Sequence, residues 1–423
     1  MSARQRVLDD LAFALGIALG ALVLFASGYL DRSPELVQHN DFSGFWAGPR
    51  AFLIGKDPYD PTTWRGTAIA LGTQTPDTPV YGYFGWALVL LLPLAGLPLD
   101  LASALWTFGA VALAVVAVRA LLRAFVPGLP IAHTLVGLTL LASQPARLTV
   151  LLGQWGFVLV AASAAIVVWL RAGRTVPPAL ASVALLAKPH LFMLGAPALA
   201  VWSWRRHGTR LFAPLAAGAC AAVVLASVVL VPQWPRAWLT QMPSHRVFDP
   251  PQTTTIATVL YGVVGAAGPW IALGFILACA AAALRFHPDG DAWLAVWLAL
   301  SSVASVYEWS YDHLVLIVPL AIATGVVART SRRRAIGVVV AGSSILLIVS
   351  TLLAVIAARR DQESYSAIVP VLIFLLVTLS LWPARRRVDR AAVHSGGRDV
   401  DAEMRALSQE RPARDDVTHE RGL

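Results

Sequence analysis

From Leu11 to Leu30 the sequence carries no charged side chain, and a helix of that length crosses a hydrocarbon core of about 30 Å. Apolar runs of this kind recur along the chain, and a soluble fold has no interior large enough to bury them. Composition agrees, with 57% hydrophobic and 13% charged residues against about 25% charged in a typical globular domain. The mean hydropathy is +0.67. The expected fold class is an all-α polytopic membrane protein.

A formal net charge of +9 and an isoelectric point near 10.1 would suit a nucleic-acid binder if the basic residues formed one surface. They fall instead in short clusters between apolar runs, the pattern that sets membrane orientation. Cys220 and Cys279 each sit inside an apolar segment, so they read as packing residues and not as a disulfide framework or a thiolate metal site.

Arg4 and Arg6 precede the first span and favour a cytoplasmic start. The span is longer than the core of a usual signal peptide and is expected to remain as a permanent helix. From Asp31 to about Pro79 the chain turns polar, which places a large loop on the non-cytoplasmic side. Within it Phe45 and Trp46 return as Phe52 and Leu53, so a short helix starting after Ser43 would lay an apolar face on the membrane interface. Pro49 argues against a long helix there, and the turn formers Gly55-Lys56-Asp57-Pro58-Tyr59-Asp60-Pro61 would end it.

Further apolar pieces run from Tyr83 to Leu97, Leu101 to Phe125, and onward to Ala367 to Trp382, for about twelve crossings. Clusters at Arg171 and Arg174, Arg205 to Arg210, Arg329 to Arg334 and Arg385 to Arg390 mark alternate connections as cytoplasmic. For Arg119 and Arg123 to join them, the piece Tyr83 to Leu97 must be re-entrant, or the region around Lys188 must be counted differently. Residues 1–382 are expected to form one integral membrane domain, and 383–423, rich in Arg, Asp, Glu, Ala and Ser, a disordered cytoplasmic tail.

Chemistry would then fall to the outer loops and helix ends. Asp41 is a lone carboxylate beside aromatic side chains, either a reacting group or an ordinary capping residue. Lys188-Pro189-His190 interrupts an apolar stretch, and an ammonium at membrane depth needs an anionic partner: a lipid phosphate, with His190 beside it, or an internal carboxylate. Arg147 offers a planar fork matched to phosphate oxygens, and Gln154 adds an amide to the same face. Glu308, Asp312 and His313 stand together among Tyr307, Trp309 and Tyr311, a combination suited to sugar hydroxyls and ring faces. No pair of histidines at helical spacing is present, and the two Asp-x-Asp elements, Asp289-Gly290-Asp291 and Asp399-Val400-Asp401, fall outside the outer loops, so no metal motif is recognised there.

The order Asp41-Phe42, Phe45-Trp46-Ala47, Gly55-Lys56-Asp57-Pro58-Tyr59-Asp60, Leu92 to Pro98 with Leu105-Trp106, Gly153-Gln154-Trp155, Lys188-Pro189-His190 and Tyr311-Asp312-His313 resembles glycosyltransferase family 87. The resemblance covers roughly residues 1 to 385. It implies a GT-C membrane fold and sugar transfer from a polyprenyl-phosphate donor. It also implies that Asp41 matches the family's catalytic position and that His313 falls where the family often has a functional histidine. Two departures, Tyr81-Gly82-Tyr83 without a following proline and Gln252-Thr253-Thr254 in place of an Asn-containing motif, bear on the identity of sugar and acceptor.

The functional expectation is a transferase moving a sugar, mannose being favoured, from a polyprenyl-phosphate donor to a lipid-linked or glycan acceptor at the outer face of the cytoplasmic membrane. Asp41 would be the general base, with His313 also catalytic. Lys188, His190 and Arg147 would hold the donor phosphate, and Gln154, Tyr59, Glu308 and Asp312 the sugar and acceptor. The donor is a substrate, no nucleotide cofactor is required, and a divalent metal bridging Asp41, Asp312 and the phosphate stays open. The expected partners are the lipid donor, the acceptor and membrane lipids, with no nucleic acid. A transporter or flippase for a lipid-linked saccharide is the alternative, which would show charged groups mid-helix or an internal repeat.

Overall fold

The computed structural model describes residues 2–30, 33–73, 78–241, 253–286 and 290–382. Among them every regular element is helical and no strand occurs. Residues through Ser380 form one compact unit, and of a second, Leu381–Leu423, only Leu381 and Trp382 are described. The tail expected at 383–423 therefore lies outside the described residues.

Among the described residues, seven helices are long and apolar enough to cross a membrane, or eight if the bent pair Pro130–Ala142 and Gln144–Leu152 is one span. They include Ala3–Ala26, Leu99–Phe125, Phe212–Leu230 and Arg332–Arg360. The chain is thus a multi-pass membrane protein. By length alone the expectation of about twelve crossings is not reached, because Gly156–Arg171, Val176–Ala187 and Gly290–Val303 are too short to qualify.

Two groups of contacts mark opposite ends of the bundle. At one, Asp10 near the start of Ala3–Ala26 meets Arg119 and Arg123 near the end of Leu99–Phe125, at 3.0 and 2.5 Å. The Arg171 guanidinium lies 4.3 Å over the Phe125 ring and reaches Asp291, which also meets Arg206 and Arg329. This arginine end gathers residues far apart in sequence. At the opposite end, Trp46 Nε1 donates to Leu97 O at 3.2 Å and Arg50 Nη1 to Ala95 O at 3.1 Å. Helix Leu99–Phe125, about 40 Å long, joins the two.

This arrangement settles the piece Tyr83 to Leu97. Its first residue accepts a 2.6 Å hydrogen bond from Tyr59 Oη, and its last is held by Trp46, so both ends lie among the same polar segments. The helix inside it, Gly85–Ala95, spans only about 16 Å and does not cross. Arg119 and Arg123 then fall at the arginine end, as the charge pattern requires.

The helix expected after Ser43 starts earlier, at Asp41, and runs to Leu53. Asn40 is its cap: Asn40 Oδ1 accepts from Ser43 N at 3.1 Å, while the Ser43 hydroxyl donates to Gln38 O and Asn40 O. Pro49 lies inside and cannot donate to Phe45 O, four residues back. That carbonyl instead accepts from Tyr81 Oη at 3.1 Å, so the helix passes through the proline without an orphaned acceptor. Phe45 and Trp46 do not lie on an interface. They are buried, with Phe45 packed edge-on against Tyr83 and Trp155 at 4.5 and 5.9 Å.

Candidate active site

Asp41 occupies the first turn of its helix, where the unpaired N–H groups and helix dipole favour a negative charge. Its Oδ2 accepts from Gln154 Nε2 at 2.6 Å. The aim of that amide depends on Gly153, which ends helix Gln144–Leu152 in the left-handed region at φ 67°. A Cβ there would stand 2.6 Å from Phe42 Cβ, so glycine serves both the turn and the close approach. Trp106 Nε1 donates to Gly153 O at 2.7 Å, and the Trp106 ring stacks on Phe42. The resemblance motifs at 41–42, 105–106 and 153–155 thus form one packed unit around one carboxylate.

Lys188 stands where the helix Val176–Ala181, tightened to a 3-10 turn over Ser182–Ala187, breaks before Pro189. The residue preceding a proline is steered away from helical backbone, and Lys188 is extended at φ −140° and ψ 71°. Its ammonium donates to Asp312 Oδ1 at 2.6 Å and lies 4.4 Å from the Tyr311 ring centre. Of the two partners open in the sequence, the structure shows the internal carboxylate. Asp312 is fully buried, and its Oδ2 accepts from Trp309 N at 3.1 Å.

A second pair lies on the same segment. Glu308 Oε1 accepts from Ser302 Oγ at 2.6 Å and stands 3.8 Å from His313 Nε2, both residues being buried. Thr254 N donates to Glu308 O at 2.8 Å, which fixes this strip to residues beyond the segment 242–252. His190 packs edge-on against Tyr307 at 5.5 Å, and its Nε2 is buried without a partner among the described residues.

Electrostatics links these groups. Burial raises the Asp41 carboxyl above the usual carboxylate range; the Gln154 hydrogen bond and the charge of Lys188 oppose that rise, and Asp312 adds to it. Asp41, Lys188 and Asp312 therefore feel one another directly. Burial also raises the Glu308 carboxyl well above the usual carboxylate range, against its bond from Ser302. The half-buried Asp41 is the carboxylate of this set that retains access from outside, whereas Glu308 and Asp312 are sealed.

Two expected residues lie apart from this centre. Tyr59 is buried and spends its hydroxyl on Tyr83 O, so it pins the first polar segment to the start of the next. Arg147 donates to Thr351 Oγ1 at 2.9 Å and lies 5.4 Å from the Tyr29 ring centre, with no hydrogen bond to Asp41, Lys188 or Asp312. Sequence reasoning missed Glu363, whose Oε2 accepts from Ser310 N at 3.5 Å and which feels the charge of Asp312. It missed Gln144 as well, whose Nε2 donates to Ser310 Oγ at 3.1 Å. An acid at the start of the last apolar span was the available signal for Glu363. Among the described residues, no group of three or more His, Cys, Asp or Glu is placed to hold a metal ion.

The model of glycosyltransferase family 87 matches residues 80–319, more than half of the chain. The match takes in Gln154, Lys188, His190, Glu308, Asp312 and His313 and begins after Asp41. No curated protein matches the sequence. Among solved structures the chain is similar to ArnT from Cupriavidus metallidurans bound to undecaprenyl phosphate, at 16% identity and a TM-score of 0.42, covering 87% of this chain and 76% of that one.

Proposed function

The chain belongs to glycosyltransferase family 87, and on that premise we propose that it transfers a sugar, mannose first among the candidates, from a polyprenyl-phosphate donor to a lipid-linked or glycan acceptor. The observation that carries this reading is the Asp41 carboxylate, half-buried, held by Gln154 at 2.6 Å and adjoined by the Lys188–Asp312 pair. Asp41 takes the proton of the acceptor hydroxyl as the oxygen attacks the anomeric carbon, and the polyprenyl phosphate leaves with the bonding electrons. Lys188 has three N–H donors and uses one on Asp312, so it can turn others to the phosphate while Asp312 fixes its position. Gln154 keeps the base aimed, and positioning supplies much of the acceleration. His190 is the further donor for the phosphate, and Arg147, bonded to Thr351 apart from this centre, is not part of that site. Glu308 and His313 shape the floor beneath.

Clustering of arginines at the opposite end supports an outer-face site on the cytoplasmic membrane, since basic connections stay in the cytoplasm. The test is transfer of radioactive sugar in membranes containing or lacking this chain, with polyprenyl phosphates carrying different sugars. Label should appear in an acceptor only when the chain is present, and most from mannose. Equal transfer in both membranes would overturn the reading, and preference for another sugar would correct the donor alone.

A further inference from the structure

A groove runs between helices Ala3–Ala26 and Leu99–Phe125, far from the catalytic end. Its volume is about 560 Å³, and Val7, Leu11, Ala14, Ala18 and Val115 line it, with Asp10 and Arg119 at its polar mouth. Close packing of Ala3–Ala26 on Pro130–Ala142 leaves this wedge: a Cβ on Gly20 would come 2.8 Å from Leu141 Cβ, so the first helix leans to that side. Ala14 and Ala18, one turn apart and exposed, form a floor of small side chains.

Its dimensions and charge match one kind of ligand. From Val7 to Ala18 the groove follows the helix for about 16 Å, half of a hydrocarbon core of about 30 Å and so the depth of one leaflet. At the mouth, Arg119 and Arg123 share the single carboxylate of Asp10. Each guanidinium spends Nε and Nη2 on it, and neither Nη1 has a hydrogen-bond partner among the described residues. Asp9, next in the chain, is buried and accepts from Gly128 N, so the exposed mouth carries two guanidinium groups against the one carboxylate of Asp10, with forked donors suited to phosphate oxygens. We infer that this groove binds an anionic phospholipid of the arginine-end leaflet, with one acyl chain along Val7 to Ala18 and the phosphate against Arg119 and Arg123. Basic mouths between spans on this side of a membrane hold anionic headgroups.

The test uses the purified full chain with added phosphatidylglycerol or phosphatidylcholine of equal chain length, with retained lipid counted by native mass spectrometry. Phosphatidylglycerol should be retained about five-fold better, the effect of one net charge at the surface. Arg119→Gln with Arg123→Gln should abolish that preference, and Asp10→Asn should increase it. Ala14→Phe with Ala18→Phe fills the groove from exposed positions and should remove the bound lipid of either kind while thermal stability is kept. Equal retention of the two lipids by the unmodified chain would overturn the inference, as would undiminished phosphatidylglycerol in the filled variant. Preferential retention of a polyprenyl phosphate would give the groove to the donor, and loss of a dimer on filling would give it to a second copy; either result also overturns the phospholipid assignment.

Discussion

The two ends of this bundle treat carboxylates in opposite ways. Asp10 is met by two guanidinium groups and Asp291 by three, all of these arginines a third to a half exposed. At the other end Asp41, Glu308, Asp312 and Glu363 lie close together, and the ammonium among them, Lys188, is bonded to Asp312. A carboxylate surrounded by excess cations is stabilised and inert. One buried with too few is costly to the fold and available for proton chemistry. The difference separates a fastening from a reaction centre, and substitutions at the two ends should divide accordingly between stability and rate.

The largest stability loss is expected where the reaction centre is itself fastened. Lys188→Ala leaves Asp312 buried without its partner and should cost about 3–5 kcal/mol, read by thermal unfolding in detergent. Lys188→Met combined with Asp312→Asn should recover most of that stability while donor KM stays raised. Full recovery of KM in the double variant would mean that the pair is fastening only. Gly153→Ala should cost about 2–3 kcal/mol, from left-handed backbone strain and the collision with Phe42. Its transfer rate should fall in step, because Gly153 aims Gln154.

At the arginine end, Asp291→Asn should lower stability by about 1–2 kcal/mol, a modest figure because its three partners are partly exposed and screened. Its kcat should match the unmodified protein, and a large loss of kcat would break the division between the ends. The smallest effect is a displaced pH profile. Asp41 must be ionised to accept a proton, and burial raises its carboxyl, so transfer should be full above that raised value and fall as pH drops through it. Gln154→Leu removes a hydrogen bond that favours the ionised form and should move the fall to higher pH. An unmoved or lowered midpoint would detach Gln154 from Asp41.

Long apolar helices were legible because hydropathy is a local property: Ala3–Ala26 and Leu99–Phe125 stand out residue by residue. Gly85–Ala95 was ambiguous for the same reason, since local hydropathy does not say that Tyr59 and Trp46 hold both its ends to one side. The cap at Asn40 was misplaced by a few residues because Ser43 is also a good capping residue, and its hydroxyl turned back to Gln38 and Asn40 instead. The Asp41 stretch and Gln154 could be singled out separately, but their 2.6 Å contact depends on the Gly153 turn meeting Phe42. Lys188 required an anion on electrostatic grounds alone. That the anion is Asp312 depends on two distant helix breaks coming together, which no local pattern encodes. Glu363 escaped notice because a single acid before an apolar run looks like a membrane boundary.

The central claim is that Asp41 removes the acceptor proton. Asn keeps the shape of Asp41 at the helix start and removes the basic oxygen, so the direct measurement is transfer by purified Asp41→Asn protein beside its thermal midpoint. The account predicts a rate reduced by a factor on the order of 10² to 10⁴, with the midpoint unchanged or raised, since a poorly compensated buried carboxylate has been removed. Transfer near the unmodified rate would contradict it and move the base elsewhere, with Asp312 and Glu308 the next carboxylates to substitute.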